Sequence, residues 1–294
     1  MTRNSISIGL PLITAVMTLL AGCSADDADM TGTMTRSTVN MTASMLTTRT
    51  SSDVQDNTLS NQVTVGVYGL SDGDALLSNG DNAAYSVDGG SLVAVSSMYW
   101  PESGGITIHA YAPRQDGWSY STESRSFTVA ADQSSDEDYL SSDLLYAEAS
   151  SSSRETVNLG FRHLMSRIVL TLMVEEGTSI TNATVKITNT KPTAAFTPLT
   201  GVIGESSGSV RDIIIGTGVT VSGGSSTTLY GIIIPQTIGA ETALIEVTEA
   251  DKVWRYHFAE DVSFTSGKPY TLSVTVSAEK VTSTISGSAT EPAL

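Results

Sequence analysis

From Gln62 to Val276, apolar side chains recur at nearly every second position, and a period of two commits a chain to strands rather than helices. Val63, Val65 and Val67 alternate with Thr64 and Gly66, and Ile106 and Ile108 with Thr107 and His109. Ile168, Leu170, Leu172 and Val174 are predicted to face one way while Val169, Thr171 and Met173 face the other. Val185 with Ile187, Ile213 to Ile215, Tyr230 to Ile234, Leu244 to Val247, Trp254 to Phe258 and Tyr270 to Val276 extend the series. Clusters such as Ser71-Asp72-Gly73-Asp74 and Ser222-Gly223-Gly224-Ser225 punctuate it as turns. No amphipathic helix of ten or more residues can be read. Short strands at this spacing predict an all-β chain of β-sandwiches. The serine run from Ala149 to Ser153 reads as a linker between two of them.

The amino-terminal residues are of another kind. Arg3 supplies a positive start, Ile6 to Leu20 an apolar stretch of 15 residues, and Leu20-Ala21-Gly22-Cys23 a cleavage site before a lipid-bearing cysteine. A membrane-spanning helix needs about 20 residues, and Pro11 interrupts this shorter stretch. An ordinary secretory signal leaves the placement of the sole cysteine at the cut to chance. Residues 1–22 are therefore expected to be a lipoprotein signal peptide, with Cys23 lipidated and holding the protein to the outer membrane. The acidic run Ser24 to Asp29 resembles a surface-export tag found on lipoproteins of certain gut and oral anaerobes.

Removing residues 1–22 takes away one base, Arg3, and no acid, which moves the formal net charge from −16 to −17. Such a charge argues against nucleic acid and anionic lipid surfaces as partners. With Cys23 given to lipid, the chain has no disulfide, no thiolate nucleophile and no zinc–thiolate site.

The 272 residues that remain after position 22 suit two domains of about 100–200 residues each. Residues 23–61 carry no aromatic side chain and are rich in Ser, Thr, Asp and Met, so they read as a disordered tether. One strand-like patch interrupts it, with Val39, Met41, Ala43 and Met45 alternating with Asn40, Thr42 and Ser44. The expected sandwiches then occupy residues 62–153 and 154–294.

Catalytic chemistry finds little support. Gly204-Glu205-Ser206-Ser207-Gly208 matches the G-x-S-x-G spacing of serine hydrolases, but a strand and not a helix is predicted after it, so it reads as a turn. The three histidines, His109, His163 and His257, show no metal-ligand spacing and read as half-buried strand residues. Carboxylates gather at Asp132, Asp136, Glu137, Asp138 and Asp143, and at Asp72, Asp74 and Asp81, without the spacing of a calcium-binding hand loop. They read as solvated loops. Tyr99, Trp100, Trp118 and Tyr120 could stack sugars or cap a core. No enzyme and no cofactor is expected.

Several phrases, in order, resemble the fimbrillin family of type V pilus proteins. They are Tyr99-Trp100-Pro101 with Ile106-Thr107-Ile108-His109-Ala110-Tyr111-Ala112-Pro113, then Asp143-Leu144-Leu145-Tyr146-Ala147. Val157 to Ile168 resembles the family's Phe-x-His-x-x-Ser-Arg-Ile strand, and Ile233-Ile234-Pro235-Gln236 and Gly267-Lys268-Pro269-Tyr270 resemble later landmarks. The resemblance implies two transthyretin-like β-sandwiches in tandem, export as a lipoprotein, and in some subunits loss of an amino-terminal strand to an arginine-specific protease. Arg49 is the candidate cleavage site, because it follows the Val39–Met45 patch and no Lys or Arg comes after it until Arg114. Near the other end, Val281 and Ile285 are candidate anchors of a carboxy-terminal donor strand, in a tail that Pro292 limits.

The resemblance implies a structural or accessory (tip or anchor) subunit of a surface fimbrium, built by strand exchange with other fimbrial subunits and serving adhesion and biofilm formation. A host or bacterial surface receptor is a further expected partner. The alternative is a surface lipoprotein that captures glycans through Trp100 or Trp118.

Overall fold

The computed structural model describes residues 36–46, 59–278 and 281–284, the last four by their backbone alone. The strands are β1 (Met41–Met45), β2 (Val65–Ser71), β3 (Ala83–Asp88), β4 (Ser91–Ala94), β5 (Ile106–Ala112) and β6 (Arg125–Thr128). A short helix α1 (Asp136–Ser142) precedes β7 (Leu145–Ser151), β8 (Val157–His163), β9 (Ser166–Val174), β10 (Ile180–Thr190) and β11 (Thr193–Thr197). Then come β12 (Val202–Ser207), β13 (Arg211–Val221), β14 (Ser226–Ile233), β15 (Gln236–Ile238) and β16 (Ala243–Glu249). The last are β17 (Lys252–His257), β18 (Val262–Phe264), β19 (Pro269–Val276) and β20 (Val281–Thr284). The chain is all-β, as its period of two requires.

Seven strands close on themselves in the order β1-β4-β3-β2-β5-β7-β8. Closure depends on β1, which pairs antiparallel with β4 on one side and parallel with β8 on the other. Without it the remaining six would be an open sheet with β4 and β8 as its edges. The carboxy-terminal half forms two four-stranded sheets, β13-β10-β16-β17 and β14-β9-β19-β20, with a small sheet β12-β11-β6 and a pair β15-β18.

Alternation does what the sequence leads one to expect. Ile168, Leu170, Leu172 and Val174 of β9 are all buried to within 2 %, while Thr171 and Met173 between them are half-exposed. Two apolar cores result. One gathers Val39, Met41, Val65, Tyr85, Ile106, Leu159 and Phe161 of the barrel. The other is built on β9, β10, β16 and β19, and also takes Tyr68, Tyr111 and Tyr146 from barrel strands.

Three local expectations need correction. Ala149 to Ser153 is not a linker, because Ala149, Ser150 and Ser151 belong to β7 and pair with Ile108, Thr107 and Ile106. Serine is tolerated there because side chains on the solvated face of a strand need no apolar character. β8 lies beyond position 154 yet pairs within the barrel, with β7 and β1. In exchange, β6 leaves the amino-terminal half to pair with β11. The halves are therefore interleaved rather than divided at residue 153.

Aromatic side chains fill the junction. Tyr111 stacks on Trp118 at 5.2 Å between centroids and packs against Phe196 of β11 at 5.9 Å. Gly201 lies against the Tyr146 ring at φ +63°, where an added Cβ would come within 2.2 Å of the ring. Only glycine fits that approach.

Candidate functional site

The seam occupied by β1 is the feature of this fold with the clearest capacity to do something. Alternation places Val39, Met41 and Ala43 inward, and they are 5 %, 3 % and 7 % exposed, with Met45 half-buried at the end. All three buried side chains share a core with Leu92 of β4 and with Val157, Leu159 and Phe161 of β8. The Val39–Met45 patch is therefore a strand of the barrel rather than part of a tether, and Leu59, also assigned to the tether, is buried in the same core.

Its register is firm along one edge. Against β8 the partners run Met41↔Val157, Thr42↔Asn158, Ala43↔Leu159, Ser44↔Gly160 and Met45↔Phe161. Against β4 they are Met41↔Leu92 and Thr42↔Ser91. The flanks are tied as well. The Val39 amide donates to the Met98 carbonyl at 2.9 Å, and the Ala43 amide to the Gly90 carbonyl at 2.7 Å. Val157 donates to the Asn40 carbonyl at 2.9 Å, and Leu46 to the Phe161 carbonyl at 2.7 Å. On the outer face the Thr42 hydroxyl donates to Asn158 Oδ1 at 2.5 Å. Leu46, 56 % exposed, lies over Gly160, where a Cβ would meet its side chain at 2.8 Å.

The other predicted residues fall as follows. Cys23, Arg49 and Ile285 lie outside the described residues, Arg49 three positions past Leu46. Val281 begins β20, whose backbone pairs antiparallel with β19 from Val276↔Val281 to Ser273↔Thr284, at the edge of its sheet.

Chemical groups elsewhere are engaged in structure. Gly204 to Ser207 belong to strand β12 and only Gly208, at φ +88°, turns, so the G-x-S-x-G spacing is a strand end rather than a turn throughout. His109 is buried with Nδ1 at 3.1 Å from the Tyr146 hydroxyl, which donates to Glu148 at 2.9 Å. Burial lowers the His109 pKa, and the charges of Glu148 and Asp74 offset only part of that. For His163 burial acts the same way, but the charge of Asp143 and its 2.8 Å hydrogen bond outweigh it and hold the pKa above its ordinary value.

Asp136, Glu137 and Asp138 form the first turn of α1, where Ser135 caps the Asp138 amide, a placement suited to carboxylates at a helix start. Among the described residues no group of three or more His, Cys, Asp or Glu is placed to hold a metal. Trp100 is 6 % exposed within the barrel core and presents no face to a sugar. Trp118 is half-buried against Tyr111. Among the described residues no helix is long and apolar enough to cross a membrane.

A profile of the fimbrillin-like family matches residues 26–290, nearly the whole chain. The chain belongs to the fimbrillin-like family. The fold agrees with solved structures of two candidate cell adhesion proteins. One, from Bacteroides ovatus, is 19 % identical, with 86 % of this chain and 96 % of that chain covered at a TM-score of 0.67. The other, from Bacteroides uniformis, is 22 % identical, with 84 % and 96 % covered at a TM-score of 0.64. At such identities the likeness establishes the fold. Comparison with curated proteins finds no match. Fimbrillin-like membership supports a fimbrial subunit role at the cell surface, in company with other fimbrial subunits, and is structural rather than enzymatic in type.

Proposed function

We propose that this fimbrillin-like chain is a lipid-anchored precursor of a type V pilus subunit that assembles by strand exchange. Cys23 carries the lipid, cleavage after Arg49 frees β1, and a strand from a neighbouring subunit takes its place by β-augmentation. Adhesion and biofilm formation follow from the filament so built.

The observation that carries this reading is that β1 closes the barrel between β4 and β8, while Arg49 stands a few residues past its end, before β2. The strand is separable by one cut, yet it fills a complete slot. Burying three or four of its inward side chains at about 1.5–3 kcal/mol each contributes on the order of 10 kcal/mol before ordering costs. A replacement with a similar pattern would hold a filament without covalent links.

Mass spectrometry of protein released from the cell surface tests the cut. The expected amino terminus is Thr50. A terminus at Cys23 with no trace of Thr50 would refute cleavage and leave a membrane-retained anchor subunit. Electron microscopy of filaments from cells carrying an epitope-tagged copy then tests incorporation.

A further inference from the structure

Resting on the strand-exchange reading, we propose that the vacated seam is filled by residues 281–285 of a second copy of this chain, Val281 taking the place of Met41 and Ile285 that of Met45. The basis is a correspondence between two distant segments. Met41-Thr42-Ala43-Ser44-Met45 and Val281-Thr282-Ser283-Thr284-Ile285 share one pattern: apolar, threonine, small, hydroxyl, apolar. The first of these is the whole of β1.

The slot itself selects this register. Its inward places hold a long side chain at 41, a small one at 43 and a long one at 45. Sliding the incoming strand by two positions would set Ile285 in the place of Ala43, which is 7 % exposed within the closed core. Sliding it by four would put Gly287 and Ala289 at the places of Ala43 and Met45, leaving the far end of the slot unfilled. In the proposed register Thr282 stands opposite Asn158, as Thr42 does now. Polarity is kept too, with the incoming strand parallel to β8.

Hydrogen bonding favours the move. β20 is an edge strand with β19 alone beside it, whereas β1 has β8 on one side and β4 on the other. A strand leaving an edge for a slot between two strands gains a second paired edge. Upstream, the correspondence stops where chemistry says it should. Glu279 would fall at the place of Val39, which is 5 % exposed, so the inserted segment begins at Val281.

The test is a disulfide trap in the full chain, expressed in cells that mature it. The double variant Asn158→Cys with Thr282→Cys should give, on a non-reducing gel, a ladder of multimers that collapses to monomer with reductant. Mass spectrometry should find the 158–282 linkage in it, and neither single variant should ladder. Paired residues on adjacent strands lie within disulfide reach. If multimers form but the linkage is found only when Ser286→Cys replaces Thr282→Cys, the register is overturned and strand exchange survives. Multimers in which the tail is trapped in a different subunit overturn the second-copy partner in the same way. If the unsubstituted chain forms no multimers at all, the underlying strand-exchange reading falls with it.

Discussion

The two halves of this molecule reach closure by different routes. The carboxy-terminal sheets are assembled from consecutive chain between Ser166 and Val276, with β6 the one strand brought in from upstream. The barrel takes its last strand from beyond residues 47–58, and that strand bridges two others that would otherwise be edges. A self-contained core can lose a side chain and stay one structure, whereas a core sealed by a separable strand can be opened as a unit. The comparison teaches that vulnerability and exchangeability are the same property seen from two sides.

Met41→Asp gives the strongest test of that contrast. An unpaired carboxylate in the barrel core should destabilise by more than about 4 kcal/mol. Hydrogen exchange should show β4 and β8 losing protection while β9, β10 and β19 keep theirs. Equal loss in both halves would break the distinction. Leu172→Ala, at a position 0 % exposed in the other core, should destabilise by about 2–5 kcal/mol. Here protection should fall first in β9 and β19, with the β1–β8 pairing outlasting it.

Gly201→Val probes the junction, where a side chain would meet Tyr146 at positive φ. A loss of about 1–3 kcal/mol, shared by the thermal transitions of both halves, is expected. Thr42→Val removes the hydroxyl that Asn158 accepts from and should weaken the seam by about 0.5–1.5 kcal/mol, read as faster exchange of the β8 amides.

The smallest effect concerns pH. Because the folded His163 pKa is raised, its pairing with Asp143 contributes fully below the unfolded value of about 6.5 and is lost as pH rises through the folded value. Denaturation midpoints of the native chain and of His163→Gln should therefore converge as pH climbs from 6 to 9. An NMR titration placing the His163 pKa below that of free imidazole would remove the basis for this.

Much of the strand content was legible because β2, β5, β9, β10, β16 and β19 each bury alternate residues, which writes their period into the sequence. β1 was legible as a strand for the same reason, through Val39, Met41 and Ala43. Its partners were not, since nothing local to Thr42 points to Asn158. The polar end of β7 was hidden because its serines lie on a face that needs no apolar side chain. β6 and β12 are short and rich in Ser, and their pairing with β11 is fixed by the fold around them rather than by their own pattern. Trp100 shows a further limit, because composition alone cannot say whether an indole lies within a core or upon it.

Thr42 and Asn158 are separated by 116 positions, and that distance orders events in time. In a polypeptide delivered amino end first, β1 emerges before β8 exists to receive it. The earliest segment made is thus among the last to be placed, and the ring stays unsealed until more than half of the chain has followed. Covalent attachment then gives the resident strand a high effective concentration over any rival arriving from solution. Premature polymerisation is suppressed for as long as that attachment lasts, so the timing of a single peptide-bond scission would govern when growth begins.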